Sequence, residues 1–594
     1  MVGIVGFTKF SHVIHLNSPL IAMTKSITIG IHQQACFYSN KFMEVACVSL
    51  RKCNFCSEFH SEDGTIGAIV YGKVLGNATN PAEHLIQIYK RYGKKALSEL
   101  NGSFCGVIFE NTASPKVILI TDRFGSRPLY YAFKDGEIIF SSHAKGILSY
   151  PFPKKLNERT LVKFLLYGKI GILGDDTWFE GIKLLPPASV LTFFSDGKYM
   201  IEKYWGLEYV SELSKKDAIE SLCKAFKEAV NEMVSNANDN LAVLLSGGLD
   251  SRAILAALSP KNRRRITAVT FGVKGCDDIL IAQKVTAKLR LKHIIIEYDP
   301  DELSKYAEKV VYLSEGQDTV NASFIPYVAE QIDRRGLSCY LQGFMFDLLL
   351  GGSFLSKDLF KYNGFITALE KKSKLFEPKE IKELLNERLL HLVPSVRKEF
   401  IELAKESKGN STANKADYFF INTRVRRYTL MGSVINREFW EELLPTIDNN
   451  VIEVIRKIPP ELRFNYYLYR EFLIRLNLDL SKIPYQKTLI PPIFPHILWR
   501  LGYLLLILNR IAKGKLIKHT YFNFDEILHN SNNWKKLVME TLLNDESLAY
   551  KLGYLKKDFV KKLVKAHYSG KNYGEKLAFL ITFELFLRVF FQSK

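Results

Sequence analysis

The sequence predicts an α/β chain in three parts: a β-rich N-terminal region, a parallel sheet covered by helices, and an α-rich C-terminal lobe. Three observations carry this reading. Short apolar runs separated by turn residues fill the first two hundred positions. From about Ser211 apolar runs alternate with segments of helical spacing, the pattern of a parallel sheet with helices on both faces. Beyond Phe360 the periodicity is almost entirely helical. At 594 residues the chain exceeds what one hydrophobic core supports. The expected parts are residues 1–208, 209–490 and 491–594.

In the first part the strand signals are Ile66 to Val70, Cys105 to Phe109, Val117 to Ile120, Glu137 to Phe140 and Ser189 to Phe194. Asp135-Gly136 carries a hairpin signal between two such runs, and Asp196-Gly197 a second. In the second part Lys215 to Asn236 is helical, Leu241 to Leu245 is a continuous apolar strand, and Arg252 to Leu258 is helical again. Further strands are expected at Ile266 to Phe271, His293 to Tyr298 and Ser338 to Leu341.

The most informative stretch follows the strand at 241–245: Ser246-Gly247-Gly248-Leu249-Asp250-Ser251, running directly into a helix. Adjacent glycines permit a tight turn and bring bare N–H groups near an anion. The serine hydroxyls and the positive end of the helix favour the same charge. Asp250, inside the loop, suits a magnesium ion that bridges phosphate oxygens. The spacing differs from the Walker loop, which needs four residues between its first glycine and Gly-Lys-[Ser/Thr]. A pyrophosphate-binding loop of six residues is therefore expected here.

Here the chain resembles the asparagine-synthetase superfamily of glutamine-hydrolysing enzymes. Thr270-Phe271-Gly272-Val273 is similar to the family's adenine-side strand, and Asp278 with Ala282 to its Asp-then-Ala helix. Glu315 and Asp318 stand where it has an acidic pair, and the segment from Gly343 to Gly352 is similar to its Gly-Glu-Gly-x-Asp-Glu-Leu-x-Gly-Gly. The resemblance implies an ATP-pyrophosphatase-type parallel-sheet domain that adenylates a carboxylate, releases pyrophosphate and lets an amine displace AMP to form an amide. It implies that Leu244, Ser246, Gly247, Gly248, Leu249, Asp250, Ser251, Val273 and Gly343 bind ATP, and that Asp250 and Asp347 hold Mg²⁺. Lys487, in Tyr485-Gln486-Lys487, resembles a family lysine that supplies positive charge in the transition state; its alternative is a solvated surface lysine. Three positions depart from the pattern: Phe344 and Leu348 replace glutamates, and Tyr466 replaces a lysine. A phenylalanine cannot accept a proton, so the family's base at that position is absent.

The segment Thr121-Asp122-Arg123-Phe124-Gly125-Ser126-Arg127-Pro128-Leu129-Tyr130-Tyr131 is similar to class II glutamine amidotransferase domains, which implies an N-terminal-nucleophile (Ntn) type α/β sandwich for the first part. Such domains use a cysteine immediately after the initiator methionine. Val2 stands there, Tyr71-Gly72 replaces the family's Asn-Gly, and Pro81 stands near its aspartate, although Glu83 remains. The expectation is a degenerate glutaminase domain, with Cys36 the one thiol proposed to substitute.

The apolar share of 47% and charged share of 24% are those of a folded globular chain. Lys and Arg number 82 against 62 Asp and Glu, a net +20, but the basic residues fall in scattered short clusters, so no nucleic-acid partner is expected. The eight cysteines of so long a chain predict reduced thiols and a cytoplasmic location rather than a disulfide framework; Cys53-Asn54-Phe55-Cys56 has zinc-ligand spacing but no second pair. Met1 to Phe7 lacks a signal-peptide pattern. Ile497 to Ile511 is too short for a membrane span and is expected to be a core helix, with a membrane-surface helix as the second reading. The sequence thus predicts an ATP- and Mg²⁺-dependent amide-forming ligase whose partners are a small carboxylic acid and ammonia or an amine, compatible with a homo-oligomer. The alternative is a non-catalytic or regulatory ATP-binding protein of the same fold.

Overall fold

The computed structural model describes residues 2–10, 18–28, 30, 32–76, 80–237, 240–361, 363–511 and 523–592. Two six-stranded antiparallel sheets lie in its first third. One contains β1 (Gly3–Thr8), β2 (Gln33–Ser39), β3 (Met43–Leu50), β8 (Tyr130–Lys134), β9 (Glu137–Ser141) and β10 (Lys183–Leu184) in the order β10-β8-β9-β1-β3-β2. The other contains β4 (Cys56–His60), β5 (Ile66–Leu75), β6 (Asn101–Glu110), β7 (Lys116–Thr121), β11 (Ser189–Phe194) and β12 (Tyr199–Lys203) in the order β12-β11-β7-β6-β5-β4. Alternation along β5 and β6 shows how they stack. Ile69, Tyr71, Cys105, Val107 and Phe109 join the core shared with the first sheet. Ala68, Val70, Phe104 and Ile108 face Leu85 and Ile86 of the helix Pro81–Tyr92. These strands are buried on both faces, which is why they read as unbroken apolar runs. The result is the expected Ntn-type sandwich of helices over two sheets. The hairpin at Asp135-Gly136 forms with both residues at positive φ, 50° and 77°, and pairs Lys134 with Glu137.

All neighbours in the third sheet are parallel: β13 (Leu241–Leu244), β14 (Ile266–Gly272), β15 (Lys292–Glu297), β16 (Cys339–Leu341) and β17 (Glu441–Leu443), in the order β15-β14-β13-β16-β17. Strand order runs outward from β13 on one side and from β16 on the other. The crevice between their carboxyl ends is a topological switch point, where ligands of such sheets bind.

Beyond Phe360, where the sequence signals are almost entirely helical, β17 is a strand. Its Glu441 and Glu442 are fully buried because each carboxylate is paired. Glu441 accepts from Arg127 Nη2 at 2.9 Å and from the Tyr71 hydroxyl at 3.0 Å, both from the N-terminal sandwich. Glu442 accepts from Tyr340 at 2.9 Å and pairs with Arg437. The last helix, Gly574–Phe591, is also central rather than appended: Phe579 packs 4.7 Å from Phe164, Phe586 packs 4.8 Å from Trp178, and Val320 N–H donates to Thr582 Oγ1 at 3.0 Å.

Two expectations need correction. Cys47 and Cys56 form a disulfide between β3 and β4, so not all the thiols are free; Cys36 is an exposed free thiol and Cys53 a buried one. Sequence composition could not show this, because the stacking of the two sheets, which brings β3 against the start of β4, decides which sulfurs meet. The helix His496–Ile511 is not a core helix, since Ile497, Leu501, Leu504 and Leu508 all face outward. Among the described residues no helix is long and apolar enough to cross a membrane.

Candidate active site

β13 ends at Leu244, and the chain turns through Ser246 to Leu249 into the helix Asp250–Ala257. The loop holds its own shape: Ser246 N–H donates to Ser251 Oγ at 3.2 Å and Gly248 N–H to Ser246 Oγ at 3.1 Å. It is also clamped from outside. Asp278 accepts from Gly247 N–H at 2.8 Å and from Gln486 Nε2 at 2.6 Å, while Gln486 N–H donates to the Gly247 carbonyl at 3.1 Å. Burial raises the Asp278 carboxyl to about 6, and the Gly247 N–H opposes the rise. The buried Arg252 donates to the carbonyls of Ile483 and Pro484, at 2.7 and 2.8 Å, and so ties the segment bearing Lys487 to the loop helix.

Space, rather than an unusual backbone dihedral, calls for glycine here. Neither Gly247 nor Gly248 has a positive φ. A Cβ on Gly247 would lie 2.8 Å from Gln486 Cβ, and one on Gly248 2.9 Å from Ser246 Oγ. Gly343, at the end of β16, is tighter still, with an added Cβ 2.4 Å from Asp250 Cβ. That close approach lets β16 deliver Asp347 beside Asp250. The turn between them passes through Met345 at φ 50°, a conformation costly for a non-glycine residue and characteristic of functional turns.

The two carboxylates form the electrostatic centre of the site. Burial first, and the neighbouring Asp347 second, push Asp250 up to about 8, against hydrogen bonds from the Tyr469 hydroxyl and the Asp347 backbone N–H. Tyr469 Oη lies 2.5 Å from Asp250 Oδ1. The Asp250 and Asp347 carboxylates, half-buried side by side with little opposing charge, fit a divalent cation, which would restore Asp250 to its ionised form. A proton and a metal then compete for Asp250. Because its pKa without metal is about 8, apparent Mg²⁺ affinity should rise about tenfold per pH unit between pH 6 and 8 and flatten above. Calorimetric titration across that range checks this; a pH-independent affinity would remove Asp250 from the ligand set.

The remaining predicted residues fall around this centre at different depths. Lys487 contributes positive charge to Asp250, and its Nζ lies 5.9 Å from the Tyr466 ring centroid. Val273 sits one strand over, beyond β14, lining a cavity of about 400 Å³ with Asp299, Pro300, Asn523 and Glu526. Residue-by-residue reading missed Tyr469 and Arg424. Arg424 comes from the helical lobe, feels the Asp347 carboxylate, has its pKa lowered by burial and leaves Nε without a hydrogen-bond partner. Only the helical spacing of Tyr466 and Tyr469 hinted that both rings share a face.

Residues 221–477 match the asparagine synthase family, and residues 76–205 match the glutamine amidotransferase domain family. These two matches are consistent with a divergent member of the asparagine-synthetase superfamily. The chain is 23% identical to amidase chyE of Penicillium rubens over 48% of this chain and 47% of that one. It is 27% identical to carboxyethyl-arginine beta-lactam-synthase of Streptomyces clavuligerus over 40% of this chain and 43% of that one. To the glutamine-hydrolyzing asparagine synthetase 3 of Bacillus subtilis it is 32% identical, over 30% and 29%. The chain thus spans about half, or less, of the length of these curated relatives.

The departures of this chain from the asparagine-synthase pattern are built into its core. Phe344 and Leu348 are buried among apolar side chains, so no carboxylate is available at either position. Tyr466 packs flat on Gly351, where an added Cβ would lie 2.6 Å from its ring, and both Asn465 and Tyr466 hold positive φ to place it there. In the amidotransferase-like sandwich, Val2 is buried with its carbonyl 3.2 Å from His143 Nε2. Tyr71 fills its position by reaching Glu441. Cys105 is buried, 3.7 Å from Ser142 Oγ, and burial raises its thiol to about 12, far from a nucleophilic thiolate. Cys36 lies exposed on β2, opposite Cys47 of the disulfide.

Proposed function

We propose that the chain is an ATP-dependent carbon–nitrogen ligase that adenylates a carboxylic acid with release of pyrophosphate, then joins it to ammonia or an amine without using glutamine. The observation that supports this best is the meeting of the Ser246–Ser251 loop, Asp250 and Asp347 at the switch point of the parallel sheet. In this reading the serine hydroxyls and the N–H groups at the start of the loop helix bind the β- and γ-phosphates, the Ser246, Gly247 and Gly248 N–H groups being used to shape the loop, with Leu244, Val273 and Gly343 toward the nucleoside. A carboxylate oxygen of the acid attacks the α-phosphorus, and the bond to the bridging oxygen breaks with its electron pair leaving on pyrophosphate. The amine then attacks the acyl carbon, AMP departs with the other electron pair, and the amine proton passes to solvent or a substrate base. Mg²⁺, held by Asp250 and Asp347, would neutralise phosphate charge during the first step. Lys487 adds positive charge at the same place.

Val2, which has no nucleophile, and Tyr71, which stands in place of the family's asparagine, support the glutamine-independent part of this reading. Relatives named as an amidase, a beta-lactam synthase and asparagine synthetases share the family, and they support amide-bond chemistry without specifying the acid. A second reading, a regulatory ATP-binding protein, is favoured by Phe344 and Leu348, which leave the amine without a proton acceptor from the protein. The deciding experiment measures pyrophosphate and AMP release from ATP across a panel of carboxylic acids with ammonia, with glutamine as control. Acid-dependent release with ammonia and background with glutamine are expected. Equal release with glutamine would overturn the glutamine-independent reading, and ATP binding without turnover would favour the regulator.

A further inference from the structure

The disulfide Cys47–Cys56 closes a short segment, with a sequence separation of 9, and that segment is a strap laid from the N-terminal sandwich onto the parallel sheet. Three of its side chains make the crossing. Lys52 Nζ lies 2.6 Å from Asp333, at the end of the helix Phe324–Asp333. Cys53 is buried and donates its thiol hydrogen to the Ser338 carbonyl at 3.3 Å, the same carbonyl that accepts from Glu441 N–H at 2.9 Å where β16 and β17 begin to pair. The Phe55 ring lies 5.3 Å from the Arg127 guanidinium, which in turn pairs with Glu441 of β17. The strap therefore rests on the amino end of β16, the strand that leads to Gly343 and Asp347.

The sulfurs differ in how they can be reached. Cys47 is buried at 3% exposure, whereas Cys56 is half-buried at the start of β4, an edge strand. Where the strap is docked, Cys53 is unreactive: the adjoining Cys339 thiol first, and burial second, push its pKa up. Cys36 is exposed on β2.

We propose that Cys47–Cys56 is a redox-modification site, opened by a dithiol reductant, and that its reduction releases the strap 51–55 from the parallel sheet. A reductant thiolate attacks Cys56 Sγ, the bond to Cys47 breaks with its electron pair on Cys47, and a mixed disulfide forms. The second thiol of the reductant attacks the reductant sulfur of that mixed disulfide, and the electron pair leaves on Cys56. The dithiol ends as a cyclic disulfide, and its two protons end on Cys47 and Cys56. In the chain-entropy account, closing a loop of this length favours the closed arrangement by about a hundredfold over the open chain. Cutting the bond therefore lowers the docked population of the strap by up to that factor. The inference stands apart from the ligase reading, since it concerns how the sandwich grips the parallel sheet and not turnover.

The test uses the full chain purified without reductant, labelled with N-ethylmaleimide before and after treatment with dithiothreitol that is then removed anaerobically, each labelled cysteine being located by peptide mass spectrometry. Cys36 should label at one rate in both states and serves as the internal reference. Cys53 should label at least about tenfold faster after reduction, while Cys223, buried elsewhere in the chain, stays protected. A variant carrying Cys47→Ala and Cys56→Ala should label Cys53 at the faster rate with no reductant; reduced wild type carries the test by itself if that variant does not fold. Three results would overturn the proposal: a Cys47–Cys56 bond that dithiothreitol leaves intact in the folded chain, Cys53 labelling that is equal in the two states, or Cys223 labelling that rises together with Cys53, which would make the bond a general support of the fold rather than the tie of the strap.

Discussion

Asp250→Ala should lower acid-dependent pyrophosphate release by about a thousandfold or more, because in the proposed reading it removes one of the two carboxylates that hold magnesium. The same substitution should not destabilise the fold. Burial and Asp347 raise the Asp250 pKa to about 8 in the folded chain. A carboxyl whose folded pKa lies above its unfolded value stabilises the fold only while protonated in both states, and that contribution is lost as pH rises through the folded pKa. Above pH 8 the ionised Asp250 is therefore a net cost, and alanine relieves it. Pyrophosphate assays paired with thermal denaturation at pH 8.5 should show activity gone and the melting temperature unchanged or higher. A variant that releases pyrophosphate at the wild-type rate would take the loop out of the chemistry.

Glu441→Ala should cost about 3–5 kcal/mol, because it strands the Arg127 guanidinium in a fully buried site between the sandwich and the parallel sheet. The Arg127 pair is reinforced by Tyr71, which donates to the same carboxylate. The melting temperature should drop by roughly 6–20 °C, on the scale of a chain with domains of this size. Replacing Arg127 and Glu441 together by methionine should cost much less than the sum of the single substitutions, since the double change leaves no unpaired charge. Additive single and double effects would mean the pair is not coupled.

Much of the fold was legible because its signals are local. Continuous apolar strands such as β13 and β14, the hairpin at Asp135-Gly136 and the strand-loop-helix of the nucleotide loop each depend on neighbours in sequence. Strands that lack an apolar run were harder to read. β12 lies exposed at a sheet edge along its whole length, and β17 presents two glutamates. A glutamate in isolation predicts a surface position, and only the arrival of Arg127, Tyr71, Arg437 and Tyr340 from elsewhere makes its burial tolerable. The helix at 496–511 was misread for the converse reason. Its apolar content predicted a core, yet Trp499 and Gly502 seat it and the leucines face out.

By itself the sequence determined the strand, glycine turn and helix at 241–257 and the apolar side chain of Val2, because both are properties of contiguous residues and of which atoms their side chains carry. The tertiary structure alone decided that Asp347 lies beside Asp250, that Tyr469 caps that pair, and that Cys47 meets Cys56. Those pairings depend on strand order, which sets β16 against β13, and on the stacking of the two N-terminal sheets, which brings β3 against β4; both are chosen by the burial of whole faces rather than by any local run of residues.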